Sequence, residues 1–191
     1  MKHYIELTLL PNSEIPIYFI WEKLYQQLHL ALVEVQDDNG QVAIGVSFPG
    51  YDGKGYQLGC KLRLFAKTKQ ELKQLNLGKW LARLTDYVHI TSIKDVPDGC
   101  GFGLFKRVQP KSSTARLARR KAKREGISVE QAMAKLAGHK EQTSKLPFVH
   151  IRSLNSDKRY RLMICYSATY QSNAGTFSTY GLSPTSTVPV F

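Results

Sequence analysis

Cysteine is scarce in this 191-residue chain, which carries Cys60, Cys100 and Cys165 and no Cys-x-x-Cys pair. An odd number of widely separated cysteines predicts neither a disulfide framework nor a zinc site. Long apolar runs are also absent, since no stretch approaches the roughly 18 apolar residues of a membrane-spanning helix. The N-terminus lacks the basic lead and apolar run of a secretory signal. We therefore expect a reduced, soluble, cytoplasmic protein with no membrane partner.

Acidic residues are scarce in the second half of the chain. Residues 99–191 hold four Asp or Glu against sixteen Lys or Arg, whereas residues 1–98 hold eleven of each, so the net charge of +12 arises after residue 98. The four carboxylates are scattered, which disfavours a two-metal nuclease site, and we expect no metal and no other cofactor. A neutral half joined to a basic half predicts a scaffold with an anion-binding surface, for which nucleic acid is the leading candidate.

The first half of the chain predicts the element order β-α-β-β-α-β. Apolar residues at three- and four-residue spacing predict a helix over Pro16–Val35, and a second helix, interrupted near Gly78, over Thr68–Leu84. Alternating apolar residues predict strands at Tyr4–Leu10, Val42–Phe48, Lys61–Ala66 and Val88–Lys94. This order is that of a ferredoxin-like unit, so we predict a ferredoxin-like domain over residues 1–98.

Residues 99–191 predict a basic α+β domain with the predicted nucleic-acid-binding surface, which makes the whole chain α+β. Strands are predicted at Gly101–Gln109, Leu146–Arg152 and Arg159–Tyr166. A helix is predicted to begin after Ser128, which forms a capping-box pattern with Gln131, and to run to Leu136. The tail from Gly175 onward is rich in Ser, Thr, Gly and Pro, and no element is predicted there.

An arginine-rich helix at about 115–125 is the strongest local feature of the second half. The hydroxyls of Ser112–Thr114 suit its N-cap and Gly126 suits its end. The basic side chains predicted to share one face are Arg116, Arg119, Arg120, Lys123 and Arg124. A guanidinium fork matches the geometry of a phosphate, so this face predicts contact with a nucleic-acid backbone. A merely solvated charged face is the alternative.

Several short motifs occur together in a fixed order along the chain. They are His29 late in the first helix, Arg107-Val108-Gln109, Leu146-Pro147-Phe148-Val149, Arg152-Ser153 and Tyr180-Gly181-Leu182-Ser183. In this order and at these spacings the chain resembles the CRISPR repeat endoribonucleases of type I-F systems, nearly from end to end. Each motif is weak by itself, and the ordered set carries the resemblance.

The resemblance implies a complete biochemical activity. Members of that family bind the stem-loop of CRISPR repeat RNA and cleave at the 3′ base of the stem without metal, using a ribose 2′-hydroxyl of the substrate as the nucleophile. The product carries a 2′,3′-cyclic phosphate. The enzyme then stays on the mature guide RNA as a subunit of the type I-F interference complex, so the implied partners are both RNAs and the other subunits.

The same resemblance implies roles for individual residues. It assigns catalysis to His29, Ser153 and Tyr180, and base reading to Arg107 and Gln109. It assigns groove binding to the arginine-rich helix, through Arg116, Arg119, Arg120, Lys123 and Arg124, with lysine at position 123 where the family usually has arginine. Tyr160 stands where the family has a phenylalanine that stacks on the terminal base pair. Asn155 replaces a second serine of the family.

The chemistry of these residue types agrees with the implied roles. Histidine is the usual side chain for moving a proton near neutral pH, and the Ser153 hydroxyl suits the orientation of a ribose hydroxyl. Tyr180 would hold either the imidazole or the phosphate. Arginine pairs geometrically with guanine and glutamine with adenine, and alternation along one strand would point Arg107 and Gln109 to the same side.

The sequence alone also permits simpler, non-catalytic interpretations of the same residues. A single histidine on an amphipathic helix also fits a packing role, and Arg107 and Gln109 would serve equally as phosphate contacts. Tyr160 fits a strand residue packed into the core. For the whole protein, the alternatives are a non-catalytic subunit that binds hairpin RNA within a larger complex, and a non-specific basic DNA-binding protein.

Overall fold

The chain leaves its first unit after Val108 and returns to it at Leu146. A computed structural model describes residues 1–53, 57–110, 113–139, 144–153 and 158–191. Within these residues, the first unit comprises Met1–Val108 and Leu146–Phe191, and the second unit comprises Gln109–Lys145. The sequence predicted a single boundary between residues 98 and 99, whereas the observed units divide after Val108 and before Leu146. The strand that follows residue 98 belongs to the first unit because it pairs with strands formed after the insertion.

The elements of the first unit before the insertion are β1 (His3–Leu9), α1 (Ile17–Glu34), β2 (Gln41–Val42), β3 (Gly45–Ser47), β4 (Lys61–Ala66), α2 (Lys69–Gln74), α3 (Leu77–Trp80), a 3-10 helix (Ala82–Leu84), β5 (Val88–Ile90), β6 (Lys94–Asp95) and β7 (Gly101–Val108). The second unit contains α4 (Thr114–Glu125) and α5 (Val129–Ala134). After it follow β8 (Phe148–Arg152), β9 (Arg159–Thr169), β10 (Phe177–Ser178) and β11 (Val188–Val190). No described helix is long and apolar enough to cross a membrane.

Antiparallel pairing organises the strands of the first unit. One sheet has the order β3-β4-β1-β5, and β6 also pairs with β1. A second sheet has the order β11-β7-β9-β8, and β10 pairs with β2 apart from both. A single apolar core includes side chains from both larger sheets and from α1. The predicted apolar stripe of α1 is buried at Ile20, Leu24, Leu28 and Ala31.

Local differences from the predicted elements have physical causes. The predicted strand over Val42–Phe48 is divided into β2 and β3, because its first part pairs with β10 and its second part with β4. The second helix is interrupted near Gly78 as predicted, and the break lies at Asn76. Asn76 has a left-handed backbone (φ 44°), which asparagine tolerates better than most residues, whereas Gly78 lies inside α3.

The tail beyond Gly175 contributes two strands that were not predicted. β10 pairs with β2 and β11 pairs with β7, so the end of the chain joins two separate parts of the first unit. Ser183, Ser186 and Thr187 are buried in this tail. Their backbone or hydroxyl groups hydrogen-bond within the tail, to Asn173 just before it or to Phe105, which explains how this polar segment is buried.

The second unit is small and has a core made of short side chains. Ala118 and Ala122 of α4 and Ala132 of α5 are buried, with Ile127 and Leu136 packed against them. The Ser113 hydroxyl caps α4 by accepting from the N–H of Arg116 (3.3 Å), while Ser112 lies outside the described residues. Gly126 ends α4 with a left-handed backbone (φ 65°). Ser128 and Gln131 form both bonds of the predicted capping box, and α5 ends at Ala134.

A candidate active site around His29

His29 lies on α1 and is held by the tail of the chain. Its Nδ1 is 2.9 Å from the carbonyl oxygen of Thr179. A carbonyl only accepts hydrogen bonds, so Nδ1 carries the proton in this contact. In the neutral ring, Nε2 is then the atom with the free lone pair. This tautomer gives His29 a basic nitrogen that is not used by the Thr179 bond.

The surroundings of His29 favour its neutral form. Burial lowers the pKa of its imidazole, the hydrogen bond to Thr179 raises that pKa, and the positive charge of Arg107 lowers it, with a net shift below the ordinary value of 6.5. Burial dominates because an imidazolium loses hydration when it is desolvated. An unprotonated imidazole near neutral pH is the form that can accept a proton.

Tyr180 is stacked on the His29 ring. The ring centroids are 4.3 Å apart and the planes are inclined by 14°. The hydroxyl of the buried Tyr25 donates to the Tyr180 carbonyl oxygen (2.8 Å), which fixes the backbone at this point. The hydroxyl of Tyr180 is 2.6 Å from that of Tyr160. Burial and the bond to Tyr180 raise the pKa of Tyr160, so its hydroxyl stays neutral.

A tight turn brings Tyr180 to this position. Gly181 has a left-handed backbone (φ 69°), and its N–H donates to the Ser178 carbonyl (2.7 Å). Its carbonyl accepts from the N–H of Val46 in β3 (2.9 Å). A Cβ at Gly181 would lie 2.4 Å from a methyl carbon of Val46, so a side chain does not fit there. Glycine at this position lets the tail reach α1 and β3 together.

Arg107 lies against both tyrosines. Its guanidinium carbon is 5.5 Å from the ring centroid of Tyr160 and 5.4 Å from that of Tyr180, which is the range of a cation–π contact. The structure therefore brings together His29, Arg107, Tyr160 and Tyr180, which we refer to as the His29 cluster. Tyr160 is also half-buried and packed against the core, as expected if it were a packing residue of its strand.

Gln109 lies outside the strand that carries Arg107. β7 ends at Val108, one residue earlier than predicted, and Gln109 is the first residue of the second unit. The described strand therefore includes Arg107 and not Gln109, so the shared direction of the two side chains stays a prediction. Both residues are exposed. Their role as base readers stays a prediction.

Ser153 follows directly after β8 and is linked to α1 through its neighbour. The N–H of Ser153 donates to the Lys158 carbonyl (3.0 Å), and the N–H of Arg152 donates to Oε1 of Gln26 (3.0 Å). Gln26 lies one helical turn before His29, on the same side of α1. The helix that carries His29 thus also anchors the strand end that carries Ser153. Asn155 lies outside the described residues.

A second contact fixes the same strand pair to α1. Arg159 of β9 is 2.5 Å from Oε2 of Glu22 and 3.1 Å from Nδ1 of His150. Burial and the charges of Arg159 and Arg161 lower the pKa of His150, whereas the charge of Glu22 raises it. These ion-paired groups explain His150 without a catalytic role. Among the described residues, no three His, Cys, Asp or Glu side chains cluster as metal ligands would.

The basic face of α4 consists of Arg116, Arg119, Arg120, Lys123 and Arg124, all of which are exposed. Glu125 is the acidic residue of this helix and is shared by Lys121 (3.3 Å), Arg124 (3.4 Å) and Lys135 (3.2 Å). Arg116, Arg120 and Lys123 form no ion pair with any other described residue. These exposed positive charges along one short helix make a strongly positive surface, and its contact with a nucleic-acid backbone stays a prediction.

Comparison with known proteins identifies the family. A family model described as CRISPR-associated protein (Cas_Csy4) matches residues 4–191. The chain belongs to this family. It is similar to the CRISPR-associated endonuclease Cas6/Csy4 of Escherichia coli (strain UTI89 / UPEC), with 36% identity over 192 residues, and to that of Pseudomonas aeruginosa (strain UCBPP-PA14), with 34% identity over 192 residues. Both matches cover 100% of this chain and 100% of the relative.

Likeness to solved structures adds nothing to the Cas_Csy4 assignment. "An RAMP protein binding different RNA substrates" is 11% identical, covers 100% of both chains and has a TM-score of 0.37, which is too low to carry an argument. The family match confirms the resemblance to the CRISPR repeat endoribonucleases that was drawn from the ordered motifs.

The predicted site residues of this Cas_Csy4 chain fall into three groups. His29 and Tyr160 each contact Tyr180, and Arg107 lies against both tyrosine rings. Ser153 forms the second group and follows Arg152, whose N–H donates to Gln26 on the helix that carries His29. Gln109 and the basic face of α4 belong to the second unit. The sequence did not single out Thr179, Tyr25 or Gln26. A tyrosine on the buried side of a helix has the pattern of any core residue. A hydrogen bond to a backbone carbonyl, such as that of Thr179, does not depend on residue type and so cannot be predicted from sequence.

Proposed function

We propose that this protein is an endoribonuclease that binds the stem-loop of CRISPR repeat RNA and cleaves at the 3′ base of the stem. Membership of the Cas_Csy4 family and the names of its relatives support this proposal. The observation that carries the chemistry is the bond from Nδ1 of His29 to the Thr179 carbonyl. It leaves Nε2 as a basic nitrogen in a half-buried setting, where the imidazole is unprotonated near neutral pH.

The reaction we propose uses a nucleophile that belongs to the RNA. Nε2 of His29 takes the proton of a ribose 2′-hydroxyl, and the 2′-oxygen attacks the adjacent phosphorus. The bond from phosphorus to the 5′-oxygen breaks, and that oxygen takes up a proton from solvent as it leaves. The product strand ends in a 2′,3′-cyclic phosphate. A positioned acid–base group and an intramolecular nucleophile supply the rate enhancement, so the scheme requires no metal.

The other members of the site have supporting roles in this proposal. Tyr180 holds the imidazole through the stacked rings, and the Ser153 hydroxyl orients the ribose. Arg107 places a positive charge beside His29 and Tyr180, where it can stabilise the charge that develops on the phosphate. The same charge disfavours the imidazolium and so preserves the base in its active form.

Affinity comes mainly from the second unit in this proposal. The basic face of α4 binds the phosphates of the stem, because its arginines are exposed and most have no acidic partner in the part of the chain that the structure describes. Arg107 and Gln109 read bases near the end of the stem, and the Tyr160 ring stacks on the terminal base pair. We further propose that the protein stays on the mature guide RNA and joins the other subunits of a type I-F interference complex in the cytoplasm.

We also propose that the first sheet and its helices be classed as ferredoxin-like. The order β1-α1-β3-β4-α2-β5 along the chain and β3-β4-β1-β5 across the sheet support that class. A fold of this kind does not specify a function, so the proposed activity depends on the His29 cluster and not on the class.

One experiment separates the proposed enzyme from a hairpin-binding subunit. The protein is incubated with an end-labelled repeat hairpin in saturating chelator, and the product ends are identified. We expect one cut at the 3′ base of the stem and a 2′,3′-cyclic phosphate. A substrate with 2′-deoxyribose at the cut site should bind and stay intact. Binding without any cut would favour the hairpin-binding subunit, and cleavage of the deoxy substrate would overturn the 2′-hydroxyl mechanism.

A further inference from the structure

We infer that the Tyr160 hydroxyl is a positioning group for cleavage, which holds the Tyr180 ring over His29 by the bond between the two phenols. This inference rests on the proposed function of the His29 site. It concerns the hydroxyl of Tyr160 and is separate from the stacking role proposed for its ring.

The Tyr180 side chain has a well-held backbone and a single polar anchor at its far end. Tyr25 and the turn at Gly181 fix the backbone of residue 180. Among the described residues, the hydrogen bond to the Tyr180 hydroxyl comes from Tyr160 alone, at 2.6 Å. The anchor therefore decides where the ring lies once the backbone is in place.

The geometry of a phenol makes this anchor effective. The hydroxyl oxygen lies on the axis that runs from Cβ through the ring, so a bond to it fixes the direction of that axis. The stacked contact with His29, 4.3 Å between centroids, then fixes the rotation of the ring about the axis. Both contacts are needed to define one position, because side chains otherwise exchange among several staggered rotamers.

Tyr160 is well placed to serve as an anchor because it lies on a paired strand. It is opposite Ile151 in the register of β8 and β9, two residues before Ser153 on the neighbouring strand. The hydroxyl bond thus connects the strand pair that leads to Ser153 with the tail segment that contacts His29. Arg107 lies over both rings and packs the pair from one side.

The test is a double-mutant cycle that removes the hydroxyl oxygen of Tyr160, that of Tyr180, or both. Tyr160→Phe, Tyr180→Phe and the double variant are compared for RNA affinity and for the cleavage rate at saturating RNA. We expect Tyr160→Phe to bind RNA normally, because the ring and Arg107 remain, and to cleave about 3–10-fold more slowly, as the loss of one hydrogen bond predicts. In the Tyr180→Phe background the same change should cause no further loss.

Tyr51→Phe is the matched control. The half-buried Tyr51 donates its hydroxyl to the Ile164 carbonyl (3.1 Å) in the same unit, without contact to His29. Its loss should change the melting temperature about as much as Tyr160→Phe does, while cleavage stays at the wild-type rate. A general loss of stability would slow both variants alike, and that result would overturn the inference.

The outcomes separate this inference from the proposed function. If the wild-type protein does not cut the hairpin, the proposed function fails and the inference fails with it. If the wild-type protein cuts and Tyr160→Phe cuts equally fast, the inference alone is overturned. Additive losses in the double variant would also overturn it, because Tyr160 would then act independently of Tyr180. Should Tyr160→Phe fold poorly, Tyr180→Phe breaks the same bond from the other side and should slow cleavage at least as much.

Discussion

The His29 cluster and the basic face of α4 differ in burial, in charge and in the number of contacts that hold each side chain. His29 and Tyr180 are half-buried, and each is fixed by at least two contacts with named partners. The arginines and the lysine of the basic face are exposed, and most have no acidic partner among the described residues. Under the proposed function, cleavage would therefore depend on the positions of a few atoms, and RNA affinity on the sum of many charges.

This difference has an energetic basis. Proton transfer requires a base within hydrogen-bond reach of the hydroxyl, so a small displacement is costly. Contacts between exposed charges and phosphates are screened by salt and tolerate movement of long side chains. Substitutions in the two regions should consequently affect different measurements, and the predictions below test that separation from the largest expected effect to the smallest.

Removal of the base should give the largest effect and should leave affinity nearly unchanged. We expect His29→Ala to cleave roughly 10²–10⁴-fold more slowly at saturating RNA, because a positioned acid–base group is lost. RNA affinity, measured on the deoxy substrate, should stay close to that of the wild-type protein. His29→Asn is the matched variant, since its amide can still donate to the Thr179 carbonyl but has no basic nitrogen. If either variant cleaved at the wild-type rate, His29 would have only a packing role.

Loss of base reading by Gln109 should give the second-largest effect. It should change the preference among hairpin sequences and leave the rate of the chemical step unchanged. We expect Gln109→Ala to cost about 1–3 kcal/mol of affinity for the preferred stem-base sequence, because a bidentate contact to a base is lost. The loss should be much smaller for a hairpin in which that base pair is swapped. Equal losses on both hairpins would make Gln109 a phosphate contact.

Loss of charge from the basic face should weaken binding in a salt-dependent way. For Arg119→Ala combined with Arg120→Ala, we expect the slope of log affinity against log salt to become shallower by up to about one per lost phosphate contact. Cleavage of fully bound RNA should be unchanged. Arg83→Ala removes an exposed arginine from the neutral half and should leave the slope as it is. An unchanged slope in the double variant would mean that the face does not bind RNA.

The smallest effect should be a shift in pH dependence. The rate for bound RNA should rise with pH through the pKa of His29 and then level off, because the neutral imidazole is the active form. The charge of Arg107 lowers that pKa, so Arg107→Met should raise it and move the acidic limb to higher pH. The rate is measured at saturating RNA, with Arg83→Met as the control. A midpoint that does not move, or moves to lower pH, would contradict a role of Arg107 at His29.

Strongly periodic segments were predictable from the sequence. The predicted helix over Pro16–Val35 agrees with α1 to within one residue at each end, and the strand Lys61–Ala66 agrees with β4. Burial patterns of this kind are local and repeat several times, so they identify an element reliably. The short strands of the tail were not predictable, because β10 and β11 depend on pairing with β2 and β7, which lie far away in sequence.

The sequence proposed the residues of the candidate site, which stay predictions, but did not reveal their contacts. His29, Ser153 and Tyr180 came from the resemblance, whereas spacing alone gave only the basic face. The bond from His29 to Thr179 joins residues 150 positions apart, and the anchoring of Arg152 by Gln26 spans 126. The division of the chain at Val108 also followed from strand pairing, which a change in composition at residue 98 does not reveal.

The return of the chain at Leu146 has a consequence for exchange between relatives. The second unit is a single continuous insertion, whereas every residue of the His29 cluster lies in the flanking segments. Recombination at two points, after Val108 and before Leu146, would therefore replace the basic helix and Gln109 without altering the pairing of any strand. We expect such a chimera to keep its cleavage reaction and to acquire the donor's phosphate contacts and its residue at position 109, whereas Arg107 and Tyr160 stay with the first unit. Under the proposed function, the part of RNA recognition that depends on the second unit could then be exchanged without changing the reaction.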